Sequence, residues 1–483
     1  MAHDGIIADD GAATPLLASS ANSGKPRWNM YAFACATLAS MTTILMGYNL
    51  ALMSGTQLFI REDLGLSDGQ IEVLAGSINV FMLMSILAAG WAADSLGRRG
   101  TLVLANVFLM AGVPAMSLGS SYSALMAARC ITSIGSGFSV VVTSVYNAEI
   151  SPASMRCFLS SFLDMFISLG LLLSYLSNYA FAGLPVHLGW RIMYGVGVLP
   201  PVLLAVGVLA MPESPRWLAM RGRHADARAV LVRTSDTPVE ADLRLEEIKQ
   251  AVREPQVSDS DGGSNVWKEL IIRPSASVRQ ILVCVVGVNF FQQASGIDAH
   301  VLYSPLVFRK DDGMSSNKAV LGATVAAGVV KMCFVLVATL FSDRLGRRPL
   351  LLASTAGVAA SMASLGVTTL CVGGAGSMAA SVLSVLAFMA AFSIGFGPLA
   401  GTYSAEIMPL QLRALGASLG TAVNRLTSAL VSMTFISLAD AMTMPGCFFL
   451  YAGVGASACA FVYARMPETK GRSLEDMEVL FAK

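Results

Sequence analysis

The chain has 483 residues, of which 55% are hydrophobic and 13% charged, and its formal net charge is +1. Soluble domains carry about a quarter of their residues charged, so this composition excludes an ordinary soluble enzyme. The near-neutral balance offers no nucleic-acid surface. Eight cysteines without a CxxC pair and four scattered histidines argue against a disulfide framework or a metal site, and no cofactor is expected.

Residues 1–30 are small and polar, without the apolar stretch of a cleavable signal, and read as a tail followed by a first helix that serves for insertion. Apolar runs of about 20 residues, the length that crosses a bilayer, recur along the rest of the chain. They predict twelve helices over 31–55, 73–93, 101–119, 122–148, 158–179, 190–211, 279–305, 318–342, 350–371, 378–404, 413–436 and 446–466. The expected fold is therefore all-α and membrane-embedded, in two six-helix bundles spanning 31–211 and 279–466. A connector over 212–278 and a tail over 467–483 complete it. Within the connector, Arg216 to Arg253 predicts one or two short soluble helices, and Glu254 to Asn265, rich in Ser, Asp and Gly, a flexible linker. Lys and Arg gather in the tails, the even-to-odd loops and the connector, whereas the opposite loops hold Arg61, Arg309, Lys310 and Lys318. Cations resist translocation, so both termini are expected on the cytoplasmic side.

Arg129, Asp164, Asp298, Lys331 and Arg425 fall inside the predicted spans, where an ionisable group costs about 2.5–3.5 kcal/mol on insertion scales and marks a functional candidate. Asp164, Ser168, Tyr175 and Asn178 share one face of the fifth helix, and Thr421, Arg425, Ser428 and Ser432 share one face of the eleventh. Facing stripes of this kind would enclose a hydroxyl-rich, water-accessible cavity. The seventh helix carries Asn289, Gln292, Gln293, Ser295, Gly296 and Asp298. Gly296 permits a local break that lets Gln292 and Asp298 reach one substrate, and adjacent amides offer both donors and acceptors to a polyhydroxylated ligand. Interhelical hydrogen bonding by the glutamines and a mutual Asp298–Lys331 ion pair stay open as alternatives. The candidate substrate contacts are Asp164, Asn289, Gln292, Gln293, Asp298, Lys331 and Arg425.

The chain also repeats itself. Tyr146, Ala148, Glu149, Ile150, Pro152 and Arg156 recur in register as Tyr403, Ala405, Glu406, Ile407, Pro409 and Arg413. Asp94, Gly97, Arg98 and Arg99 recur as Asp343, Gly346, Arg347 and Arg348, and Pro212-Glu213 is echoed by Pro467-Glu468. Three motifs repeated in the same order mean duplicated halves, the signature of a transporter that rocks about a central site. Asp94, Arg98, Arg99, Glu149 and Arg156, with Asp343, Arg344, Arg347, Arg348, Glu406 and Arg413, are expected to form a charge-paired latch on the cytoplasmic side.

At these residues the chain resembles the sugar-porter family of the major facilitator superfamily. The motifs are the two Asp-x-x-Gly-Arg-Arg loops, Arg129 with Gly135 and Gly137, Pro212-Glu-Ser-Pro-Arg216-Trp217, Gln292-Gln293-x-Ser-Gly and Gly397-Pro398. Leu176 to Phe181, His187 to Met193, Phe291 to Asp298 and Phe448 to Ala452 look most like plant polyol/monosaccharide transporters. The resemblance implies a central sugar site that includes Asp164, Gln292, Gln293, Asp298, Lys331 and Arg425. It also implies a functional monomer with a polyol or monosaccharide as partner; the plasma membrane is expected in preference to the vacuolar membrane.

Three departures bear on mechanism. Proton-coupled members carry aspartate after Gly-Tyr in the first helix, but here Asn49 follows Gly47-Tyr48, so the coupling pair is Asn49 with Arg129 and lacks its titratable member. The family's tryptophan beyond Gly397-Pro398 is Gly401, and Ser95 replaces the arginine of the first loop motif. The expected function is polyol or monosaccharide carriage by alternating access with weak or absent proton coupling. The alternatives are symport through another carboxylate, and a sugar receptor that scarcely transports. An enzyme is not expected, because no nucleophile with its base, metal cluster or phosphate loop appears.

Overall fold

The computed structural model describes residues 29–151, 156–253, 276–310, 317–370, 375–408 and 413–469. The predicted linker over 254–265 lies outside them. Among the described residues, twelve helical segments are long and apolar enough to span a membrane. They are α1 (Met30–Leu64), α2 (Asp68–Leu96), α3 (Arg98–Leu118), α4 (Tyr122–Ile150), α5 (Phe162–Phe181), α6 (Val186–Ala210), α7 (Ser277–Phe308), α8 (Asn317–Phe341), α9 (Arg347–Leu370), α10 (Ala379–Ser404), α11 (Gly416–Met442) and α12 (Met444–Arg465). Large apolar side chains such as Leu87, Trp91, Leu203, Val206 and Leu383 point outward from them. In water such a belt would aggregate, whereas a lipid core accepts it.

The order matches the predicted spans, with one consequential shift. α2 begins at Asp68 rather than near 73 because Ser67 and Gln70 form a reciprocal cap. The Gln70 amide N–H donates to Ser67 Oγ (3.3 Å), and the Ser67 N–H donates to Gln70 Oε1 (3.0 Å). A search for apolar runs passes over this polar first turn, so Glu72 lies inside α2 and not in a loop.

The two halves repeat one packing plan. In the first, α1 packs on α5, and α3 on α4 and α6; in the second, α7 packs on α11, and α9 on α10 and α12. The halves meet along α2 with α11 and along α5 with α8. Among the described residues four spans are interrupted, α1, α6, α7 and α10, and in α6 the break is a turn at Gly197 and Val198. α1 turns at Thr42 and Thr43, whose hydroxyls donate to the carbonyls of Ala39 and Ser40 at 2.6 Å. α7 breaks between Ala294 and Ile297, where Gly296 stands at φ +87°, a left-handed conformation that favours glycine. α10 widens into a π turn over Phe392–Phe396, and this frees backbone carbonyls.

The described part of the connector holds three short helices, Pro215–Met220, His224–Thr234 and Pro238–Arg253, where one or two were expected over Arg216 to Arg253. They close around Leu218, Ala227, Leu231 and Leu245. Arg228 grips Asp242 with two bonds of 2.7 and 3.1 Å on their surface, which holds the Asp242 carboxyl below its ordinary range. Arg244 reaches from this cluster to the carbonyls of Glu149 and Ser151 (3.3 and 3.2 Å), fixing the connector against the end of α4.

Candidate functional site

A cavity of about 130 Å³ lies between the halves, where α7 and α10 are broken. Asp164, Gln292, Gln293, Asp298, Lys331 and Arg425 all line it. Asn289 is not among the lining residues. Its Nδ2 donates to Val285 O (2.9 Å) and Ser404 Oγ (3.0 Å), tying α7 to α10.

The two glutamines differ in what they have left to offer. Gln292 Nε2 donates to the carbonyls of Phe396 and Gly397, both at 2.8 Å, and its Oε1 accepts from Asn424 Nδ2 at 2.6 Å. It satisfies the carbonyls freed by the π turn, so most of its bonding capacity is spent holding α7, α10 and α11 together. Gln293 Nε2 donates to Asn424 Oδ1 (3.2 Å), while its Oε1 is buried without a partner. Ser393 Oγ and Arg425 Nε, whose residues also line the cavity, are orphaned in the same way. A buried polar atom left unpaired costs about 1–3 kcal/mol. Unpaired atoms gathered around one cavity mark where a hydroxylated ligand would find partners.

Asp298 accepts hydrogen bonds from the Ser428 hydroxyl and from Asn79 Nδ2 (3.5 Å), and Asn79 Oδ1 accepts from Arg425 Nη1 (3.5 Å). Asp164, Asp298, Lys331 and Arg425 interact electrostatically, but no two of them form an ion pair within 4.0 Å. The alternative of a direct Asp298–Lys331 ion pair is thus not formed, and Asp298 bonds Ser428 and Asn79. Asn79 escaped the sequence reading because a single asparagine in an apolar span reads as ordinary helix packing. Gly401 is not among the residues that line the cavity; it is exposed, and a Cβ built there meets nothing within 4 Å.

Arg129 is 1% exposed and donates to Asn49 O (3.2 Å) and Leu74 O (3.3 Å). Its Nη2 and the Asn49 Nδ2 are both buried donors without acceptors. Two unpaired donors on neighbouring side chains are what remains when an acceptor is missing from position 49.

On the connector side, Arg98 forms a bidentate pair with Glu149 (3.0 Å twice) and a third bond to Asp94 (3.0 Å). Arg99 donates to the Leu209 carbonyl. These bonds join helices of one half. The side chains of Arg156, Asp343, Arg344, Glu406 and Arg413 lie outside the described part of the structure. Two further acids complete the motif. Glu213 accepts from the backbone N–H groups of Arg98 (2.9 Å) and Arg99 (3.1 Å), and Glu468 accepts from those of Arg347 (2.9 Å) and Arg348 (3.0 Å). Each carboxylate therefore caps a helix N-terminus. Gly97 and Gly346 stand at φ +87° and +93°, and a Cβ on Gly97 would lie 2.4 Å from Glu213 Oε2. Tyr146 and Tyr403 fasten the same loops by donating to Pro212 O (3.1 Å) and Pro467 O (3.0 Å). The sequence signal for Glu213 and Glu468 was the repeated Pro-Glu pair.

Residues 35–481 match the family described as sugar (and other) transporter. The chain belongs to that family. It is 49% identical over 471 residues to polyol transporter 5 of Arabidopsis thaliana, covering 95% of this chain and 87% of that protein. Its fold is similar to the partially occluded inward-open form of the xylose transporter XylE from E. coli, with a TM-score of 0.78 and 26% identity over 92% of this chain and all of that one. It is also similar to the XylE proton:xylose symporter bound to 6-bromo-6-deoxy-D-glucose, with a TM-score of 0.77 and 27% identity over 94% of this chain and all of the other. The molecule is thus a multi-pass membrane transporter of the major facilitator superfamily, and not an enzyme.

Proposed function

We propose that this transporter carries a polyol or a monosaccharide by alternating access, through the cavity lined by Asp164, Gln293, Asp298, Lys331 and Arg425, without obligate proton coupling. The supporting observation is the set of orphaned polar atoms on Gln293, Ser393 and Arg425 around that cavity. Both donors and acceptors are present, as a chain of hydroxyls requires. The relatives' names, polyol transporter and xylose transporter, agree with a small polyhydroxylated cargo.

In this reading the halves over 31–211 and 279–466 rock about the cavity. The connector over 212–278 and both tails lie on the cytoplasmic side of the plasma membrane, and the monomer is the working unit. The bonds across the halves favour an inward-facing state. Gln57 Nε2 donates to Leu302 O (2.6 Å) and Tyr175 OH to Val301 O (3.0 Å), both on the side away from the connector. Asn49 supports proton independence, since an amide has no proton to release at neutral pH. A second reading, symport through Asp164 or Asp298, is favoured by the presence of both carboxylates in the cavity wall.

Uptake of labelled linear polyols, inositol and hexoses into vesicles, with and without a proton gradient, tests both readings. Saturable uptake that survives a protonophore is the expected result. Concentrative uptake that collapses on its addition replaces the first reading with the second, and the absence of uptake for every compound overturns the transporter assignment of the cavity.

A further inference from the structure

Glu72 is 2% exposed, in the second turn of α2. Its carboxylate does not bond within its own half. Oε1 accepts from the backbone N–H groups of Ile436 and Ser437, the latter at 2.9 Å, and Oε2 bonds the Ser437 hydroxyl at 2.5 Å. All three contacts are to α11 of the opposite half. Among the described residues no cation lies within 4.0 Å of this carboxylate, so these hydrogen bonds are what compensates its burial.

The rest of α2 explains why the contact forms. One turn further on, Gly76 brings the helix against α11 so closely that a Cβ there would lie 2.4 Å from Met433 Cγ and 3.2 Å from the Met433 backbone nitrogen. Three residues beyond Gly76, Asn79 bonds Asp298 and Arg425 at the central cavity. Glu72, Gly76 and Asn79 occupy one helical face, so a single seam runs from the cavity to the outer end of α2. A second cavity, of about 740 Å³, is lined by Ile71 and Ile436, the chain neighbours of Glu72 and Ser437.

We infer that Glu72 and Ser437 form the outer lock of the transport cycle: the contact holds the extracellular side closed, and it must break before the central cavity opens outward. The inference rests on the alternating-access reading. A ligand that engages Asp298 or Arg425 competes with Asn79 for them, which loosens the inner end of the same seam. Glu72 is thus a positioning residue that acts on the balance of inward and outward states rather than on the cargo.

The test uses the full chain in sealed, right-side-out vesicles. Leu50, which lines the central cavity, is replaced by cysteine as a reporter, and its labelling by a membrane-impermeant maleimide is timed from outside against the chain without the reporter. Glu72→Ala should speed labelling on the order of tenfold, since hydrogen bonds to a charged group are worth roughly one to two powers of ten in a conformational equilibrium. Ser437→Ala removes only a hydroxyl and should act in the same direction by a smaller factor, which keeps the test open where Glu72→Ala fails to reach the membrane. Glu72→Gln should label near the starting rate, because its amide oxygen can accept from both N–H groups and its NH2 can donate to Ser437. Unchanged labelling in Glu72→Ala and Ser437→Ala, or equal labelling in Glu72→Gln and Glu72→Ala, overturns the lock. The readout needs no cargo, so a failure of the proposed substrate class would appear in uptake alone and leave this result independent.

Discussion

Replacing Asn49 by aspartate is the most direct probe of the energetics of this transporter. Arg129 is buried, and among its neighbours it finds two backbone carbonyls but no carboxylate; its Nη2 and the Asn49 Nδ2 point at nothing that can accept. Asn49→Asp removes one orphaned donor and supplies an acceptor for the other. A hydrogen bond to a charged group contributes about 1.5–3 kcal/mol, and two unit charges 4 Å apart attract by about 4 kcal/mol at an effective dielectric constant near 20. Against this stands the desolvation of the new carboxylate, several kcal/mol per ion. The guanidinium is already buried, so its own desolvation does not enter again. The opposing contributions nearly cancel, and the fold should tolerate the change, with thermal stability altered by no more than about 2 kcal/mol. What changes is the linkage. The ion pair stabilises whichever state holds the carboxylate against Arg129 and ionised, so a conformational change that weakens the pair favours proton uptake. Uptake by Asn49→Asp should therefore rise as external pH falls and fall with a protonophore, while the unmodified chain responds to neither. Vesicle uptake across an imposed pH gradient reads both. A pH-insensitive Asn49→Asp that still transports would refute the argument that position 49 is the missing coupling site.

Three further outcomes follow from the geometry. Gln293→Ala should weaken cargo binding by about 1–3 kcal/mol with little effect on thermal stability. Gln292→Ala should instead lower the melting temperature in detergent, because its bonds lie within the protein; equal effects on affinity would show both amides to be ligand contacts. Asp298→Asn should couple more strongly to Ser428→Ala, which removes a direct bond, than to Lys331→Met, which removes a longer-range attraction. The reverse order in unfolding measurements would restore the direct Asp298–Lys331 pair. Glu213→Gln and Glu468→Gln should each cost about 1 kcal/mol by weakening a charged cap. Gly97→Ala should cost more than either, because it adds a left-handed backbone penalty and a clash with the carboxylate, and thermal unfolding of the three variants ranks them.

Much of this molecule is legible without coordinates. Hydropathy gives the twelve spans because lipid imposes one length and one chemistry on every crossing segment. The duplication gives two halves, and the charges within spans single out Asp164, Asp298, Lys331 and Arg425, since their cost in lipid is a property of the residue itself. Tertiary structure decided the partners. That Asp298 bonds Ser428 and Asn79 instead of Lys331, or that Gln292 serves the open backbone of α10 while Gln293 keeps a free oxygen, depends on how remote helices are rotated against one another. Nothing in the residue types encodes that rotation. Glu72 shows the same limit most sharply: a polar cap carried α2 one turn beyond its apolar run, and only the packing of Gly76 on Met433 brought the carboxylate to Ser437. Sequence determines what each segment can bury, whereas the contact across the two halves is a property of the assembled surfaces.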